Sequence, residues 1–180
     1  MKGFTRADPR FSLCGLNCGL CPMNLDGHCP GCGGGAGNQS CKLARCSLEH
    51  GGLSYCFQCG EFPCGHYDGI DEYDSFITHQ NRLADIERAR SGGLERYHAE
   101  QAERRDILAF FLDRCNDGRR KTLYCLAANL LPLPALRKVR NEAEAMAELP
   151  LKERGSRVSA ALLAAAEGVS LKLRKRPKKT

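Results

Sequence analysis

The sequence predicts a mainly α protein in which a small, irregular, cysteine-rich metal-binding module is followed by a helical bundle. Three observations carry that expectation. Ten of the 12 cysteines lie between Cys14 and Cys64. Residues 1–66 hold 13 of the 19 glycines and contain neither Ile nor Val. After His66 the apolar residues recur at helical spacing and glycine becomes sparse. The expected organisation is a metal-binding module over residues 1–66, a helical domain over 67–171 and a disordered basic tail over 172–180.

The first module lacks the inventory for an ordinary core. Ordering each backbone residue costs on the order of 1–2 kcal/mol, and only scattered Leu, Phe, Met and Tyr are present to offset it. A bound structural zinc supplies on the order of 10 kcal/mol or more directly as folding free energy. Residues 1–66 are therefore expected to unfold without metal. Their charge is nearly balanced, with Lys2, Arg6, Arg10, Lys42 and Arg45 against Asp8, Asp26, Glu49 and Glu61. A DNA-reading zinc finger would carry a basic face instead.

The clustered cysteines fall into four groups: Cys14-x3-Cys18-x2-Cys21, Cys29-x2-Cys32, Cys41-x4-Cys46, and Cys56-x2-Cys59-x4-Cys64. Two residues between cysteines allow one tight turn to aim both thiolates at a single ion. No apolar run approaches the roughly 18 residues that a membrane span needs, and the first dozen residues have no signal-like apolar stretch. The thiols are thus expected to be reduced, in the cytoplasm, and to ligate metal rather than form disulfides. All ten are candidate ligands. Their number is awkward, because two closed tetrahedral sites use eight ligands and three use twelve. His28, His50 and His66 are available to make up a deficit. The preferred partition places Cys29, Cys32, Cys41 and Cys46 on one ion and draws a second site from the flanking triplets; cross-braced pairings fit the spacing equally well.

The second half divides at its punctuation. Gly92-Gly93 ends a first helical stretch whose apolar positions include Phe76, Ile77, Leu83 and Ile86. A long helix resumes near Leu94 and places Ile107, Leu108, Phe111, Leu112 and Cys115 on one face before Asn116-Asp117-Gly118 stops it. Leu123, Leu126, Ala127, Leu130 and Leu131 mark the next helix, which Pro132 and Pro134 separate from one carrying Leu136, Val139, Ala143 and Met146. Ser156 is the expected N-cap and Gly168 the expected stop of the last helix, with Val158, Leu162, Ala165 and Ala166 inward. Cys115 and Cys125 stand outside any cysteine pair and read as small buried apolar residues. Tyr124 and Asn129 read as satisfied polar groups of an apolar helix, and Arg119-Arg120-Lys121 as a solvated turn or an anion site. The chain's net charge of +6 resides in Lys172, Arg174, Lys175, Arg176, Lys178 and Lys179. That tail would add only weak, non-specific, salt-sensitive contact with nucleic acid.

Zinc, as two or more ions, is the expected cofactor, with [4Fe–4S] clusters as the alternative. The ferredoxin run C-x2-C-x2-C-x3-C-P is absent, since Cys14 to Pro22 has its gaps in reverse order and no fourth cysteine follows closely. The C-x3-C-x2-C triplet resembles the cluster motif of radical S-adenosylmethionine enzymes. Those enzymes place it after a first barrel strand, and only 13 residues precede it here, none of them strand-like.

Taken together, Cys14-Gly15-Leu16-x-Cys18-x-x-Cys21-Pro22, the Cys29-Pro-Gly-Cys32 turn, Cys41 to Cys46, and Cys56-x-x-Cys59-x-Glu61-Phe62-Pro63-Cys64 resemble the cysteine-rich family called domain of unknown function 3795. The likeness extends through Ile107 to Leu112, Asn116 to Lys121 and Tyr124 to Pro132, covering about residues 12–135. It implies a metal-binding, zinc-ribbon-like protein and implies no activity. No Asp/His/Ser grouping or carboxylate pair suggests catalysis by its spacing. The expected role is binding or scaffolding, with the partner left open and a protein as one candidate, and without a membrane; the iron–sulfur alternative would carry electrons or assist catalysis.

Overall fold

A computed structural model describes residues 3–35 and 40–177. Its described residues contain helices, turns and irregular segments but no strand. The helices are α1 (Pro22–Leu25), α2 (Lys42–Glu49), α3 (Arg82–Gly92), α4 (Leu94–Arg114), α5 (Lys121–Leu130), α6 (Leu133–Ala145) and α7 (Leu151–Ala164), and three single 3-10 turns interrupt the cysteine-rich region. The protein is thus all-helical, with an irregular cysteine-rich region ahead of the bundle. The chain forms two compact units, Met1–Tyr97 with Leu173–Thr180, and His98–Lys172. Their boundary falls within α4. No helix of the described residues is long and apolar enough to cross a membrane.

In the first unit, aromatic residues supply much of the core for residues 1–66, which contain neither Ile nor Val. Phe11, Tyr55, Ile86, Ala89 and Tyr97 form one buried cluster. Phe11 holds its ring tilted against two others, with centroids 4.7 Å from that of Tyr97 and 5.6 Å from that of Tyr55, a spacing at which aromatic pairs add stability beyond their buried area. A second cluster joins Phe4, Leu13, Leu43, Ala44 and Tyr67, with Cys14, Cys32, Cys56 and Cys64 packed on its edge. The cysteines consequently sit between irregular loops and a small apolar core. The first helical stretch is shorter than its periodicity suggests. Phe76 precedes α3 and is 66% exposed, and Leu83 is 43% exposed. Arg82 and Asp85 take the inward positions beside Ile86, because the neighbouring loops offer them ionic and hydrogen-bond partners.

Arg174, expected in a disordered tail, is bonded to the loop before α3. Its backbone N–H donates to Asp74 Oδ2 at 2.8 Å and its Nη2 to Asp74 Oδ1 at 2.9 Å. The Asp74 side chain is fully buried, and the His79 amide donates to its Oδ1 at 2.7 Å. Lys178 and Lys179 lie outside the described residues.

In the second unit, Ile107, Leu108, Phe111 and Cys115 of the α4 face are buried, as are Leu136, Val139 and Ala143 of α6 and Val158 and Leu162 of α7. α7 packs on α6 and α5. Gly155 also brings α7 close to the end of α4, because a Cβ at that position would stand 2.4 Å from the Cys115 carbonyl oxygen. Carbonyls at helix C-termini lack intrahelical partners, and a buried arginine serves α5: Arg104 Nη1 donates to the carbonyls of Ala128 at 2.9 Å and Leu131 at 2.8 Å. Cys115 and Cys125 are buried. Tyr124 donates to the Cys115 carbonyl at 2.9 Å and Asn129 to that of Cys125 at 2.8 Å, so both polar groups are satisfied within the helices. Arg120 is engaged rather than free, donating to Ser159 Oγ at 3.1 Å. The last helix begins at Leu151 after Pro150, not at Ser156. Proline fixes its φ and supplies no donor, so it starts a helix without a side-chain cap.

Candidate metal centre

Backbone contacts between distant loops determine which cysteines meet. Ser12 organises the first loop, with its hydroxyl accepting the Leu16 N–H at 2.7 Å and standing 3.2 Å from Cys14 Sγ. Gly15, at φ +98°, lies so close to α3 that a Cβ would stand 2.5 Å from the Arg82 carbonyl oxygen. Only glycine fits there, since it alone tolerates both that φ and that approach. The Cys29-Pro-Gly-Cys32 turn then docks on the chain just ahead of Cys14: the Cys32 N–H donates to the Pro9 carbonyl at 2.9 Å, and Gly31, at φ +86°, again leaves no room for a Cβ beside Pro9. From the other side, the Cys56 N–H donates to the Leu13 carbonyl at 2.9 Å.

These contacts produce two thiol groups. In the first, Cys18 feels the charges of Cys32, Cys14 and Cys21. Burial, then those neighbours, raises the Cys18 thiol well above its usual 9.0. Burial also raises Cys32, but the Leu13 amide and the Arg6 guanidinium act against it. Arg6 is itself fixed, donating from Nη1 to the carbonyls of Asp8 at 2.9 Å and Phe11 at 2.8 Å and lying over the Tyr55 ring. Burial raises Cys21 against the opposing amides of Met23 and Asn24, and Cys29 is among its charged neighbours.

The second group surrounds a cavity of ≈ 20 Å³ whose wall includes Cys46, Cys56, Cys59, Cys64 and His50 together with Leu13, Leu43 and Tyr67. That is room for about one water-sized body. Cys46 comes from α2, Cys56 from a 3-10 turn, and Cys64 precedes another. Burial pushes Cys56 up to about 12; Tyr67 opposes by donating a hydrogen bond, and Cys14, Cys64 and Cys46 add repulsion. Cys46 is raised by desolvation and by the charges of Cys64, Cys59, Glu49 and Glu61. His50 caps the C-terminus of α2, with Nδ1 2.8 Å from the Cys46 carbonyl oxygen and 3.6 Å from Cys46 Sγ.

The observed groups differ from the partition expected from the sequence. Cys32 lies with Cys14 and Cys18, Cys46 lies with Cys56, Cys59 and Cys64, and Cys29 neighbours Cys21. Cys41 is exposed just ahead of α2. His50, rather than His66, is on the cavity wall. His28 is exposed on the loop before Cys29. The side chains of the described residues do not include a ready-made set of three donors drawn onto one point. Arg6, Ser12 and Tyr67 contact the thiols, although no spacing in the sequence marks them. A polar residue set among cysteine pairs and aromatics was the only available signal. Comparison of the chain with protein-family models, curated proteins and solved structures gives no match.

Proposed function

We propose that the protein is a metal-binding protein whose cysteine-rich unit is held together by structural zinc, and that its role is binding or scaffolding. The observation that carries this reading is that Cys46, Cys56, Cys59 and Cys64, from separate turns and a helix, all line one small cavity. Thiolates with an adjacent imidazole are the donor set of tetrahedral zinc, and a single ion suits the room available. Cys14, Cys18 and Cys32, with Cys21 as the fourth donor, would hold a second ion. Two such sites use eight thiolates and leave Cys29 and Cys41 over, which accounts for a total of ten.

When bound, zinc would offset the mutual repulsion of the thiolates and contribute folding free energy. The chain's own residues supply the surroundings. Arg6 and the Leu13 amide face Cys32, Ser12 faces Cys14 and Tyr67 faces Cys56. Partners of this kind orient ligands and tune their basicity.

The test is elemental analysis and absorption of protein purified without oxygen. A colourless protein with stoichiometric zinc is expected. A brown, oxygen-sensitive protein containing iron and sulfide would replace this reading with an iron–sulfur one.

A further inference from the structure

The cavity wall holds five donors, the thiols of Cys46, Cys56, Cys59 and Cys64 and the imidazole of His50, whereas a tetrahedral ion accepts four. Cys46 and His50 are four residues apart at the end of α2, a separation that puts two side chains on the same helix face. Cys46 Sγ and His50 Nδ1 stand 3.6 Å apart. Bond lengths of about 2.3 Å for zinc–sulfur and about 2.0–2.1 Å for zinc–nitrogen, at the tetrahedral angle, separate two ligand atoms of one ion by about 3.5–3.6 Å. An ion within bonding reach of one of these atoms is therefore only a small side-chain movement from the other. The competing bond of Nδ1 is to the Cys46 carbonyl oxygen at 2.8 Å, and it is an exposed one that water can replace.

We propose that the metal site built on Cys56, Cys59 and Cys64 draws its fourth ligand from either Cys46 or His50, so that a soft divalent cation there exchanges one thiolate for one imidazole. This rests on the zinc reading and extends it, because one closed all-thiolate site would leave His50 without a role. The first thiol group is surrounded differently. Its neighbours include Arg6, backbone amides, Ser12, Asp26 and the additional thiol of Cys29. The two sites are thus chemically unequal, and the second is the one whose surplus donor is an imidazole next to solvent.

The experiment uses the full chain titrated with cobalt(II) without oxygen, followed by its sulfur-to-metal absorption and by metal stoichiometry. Wild type should bind two ions. H50A should bind two, and C46A should still bind two while losing the charge-transfer intensity of one thiolate. C46A/H50A should bind one. Loss of the second ion in C46A alone, or its retention in the double variant, overturns the proposal. The ion retained in the first site and the helical circular dichroism report that each variant has folded. As a measurement that needs no cysteine replacement, cadmium NMR of the wild type should show a second-site resonance that shifts in H50A; an unmoved resonance overturns the proposal. Failure of wild type to bind any ion defeats the zinc reading itself, whereas two ions in wild type with one in C46A defeats only the exchange.

Discussion

Asn17 joins the cysteine-bearing loop to the helices by donating from Nδ2 to Asp85 Oδ2 at 2.8 Å. Its Oδ1 accepts the Tyr97 hydroxyl at 2.9 Å. Asn17, Asp85 and Tyr97 are all buried, and Asn17 immediately precedes Cys18. A buried polar network of this kind is costly to break, since each partner loses a bond that water cannot replace. Asn17→Ala should destabilise the protein by about 1–3 kcal/mol, and Tyr97→Phe by less. Urea denaturation followed by circular dichroism measures both; an unchanged midpoint in Asn17→Ala would show that the network is not holding this loop.

Gly155 provides a test of helix packing in which the sign is reversed. At an open helical position Gly→Ala stabilises by about 1 kcal/mol. Here the new methyl would stand 2.4 Å from the Cys115 carbonyl oxygen, and overpacking costs about 1–3 kcal/mol. Gly155→Ala should therefore lower the melting temperature. A raised one would mean that α7 and the end of α4 are not in close contact.

Acidification should weaken the loop before α3 in two steps. Burial, then the charge of Arg82, lowers His79 from 6.5 to about 4. Between those values the unfolded chain binds the proton and the folded chain does not, so stability falls as pH drops from about 6.5 to about 4. Asp74 acts in the same direction at lower pH. Burial opposes its ionisation, but the bonds from Arg174 and the His79 amide hold it below 3.8. Its contribution is complete above 3.8 and is lost as pH falls through the lower folded value. Denaturation midpoints measured from pH 7 to pH 4 should decline in wild type and decline less steeply in His79→Gln; equal slopes would exclude His79 as a source.

Arg174 should stabilise the first unit. Arg174→Ala removes the bond to Asp74 Oδ1 but keeps the backbone bond to Oδ2. With the arginine side chain 39% exposed, solvent screening reduces the expected loss to about 1 kcal/mol. Ending the chain at Lys172 removes both bonds and should cost more. If the truncated chain melted like wild type, the docking of this segment would carry no stability.

Chelation should separate the two units. Removing the ions should expose residues 14–66 to protease while much of the helical signal of α5, α6 and α7 persists. If the first unit kept its protease resistance after complete metal removal, its aromatic clusters alone would account for its folding.

The sequence made the helices legible and left the ligand pairing hidden, for identifiable reasons. The faces carrying Ile107, Leu108 and Phe111, or Leu136, Val139 and Ala143, follow from local periodicity and are buried as expected. Phe76 and Leu83 matched the same pattern yet are exposed, because Arg82 pairs with Asp71 in the preceding loop and Asp85 bonds Asn17 far back in the chain, partners that no helical periodicity contains. Ser156 had the chemistry of an N-cap, but the helix starts after Pro150, nearly two turns earlier. The ten cysteines were visible as a set. Their grouping depends on where the loops cross, through the bonds of Cys32 to Pro9 and of Cys56 to Leu13. Those are backbone contacts and leave no mark in residue type or spacing.

The central claim is that the clustered thiols hold zinc in two sites. Native mass spectrometry of the full chain, purified without oxygen or added metal, tests it most directly. The expected result is a folded species whose mass exceeds that of the bare chain by two zinc ions less the protons their thiolate ligands release. A folded species at the mass of the metal-free chain, with all ten clustered thiols open to alkylation, would contradict it.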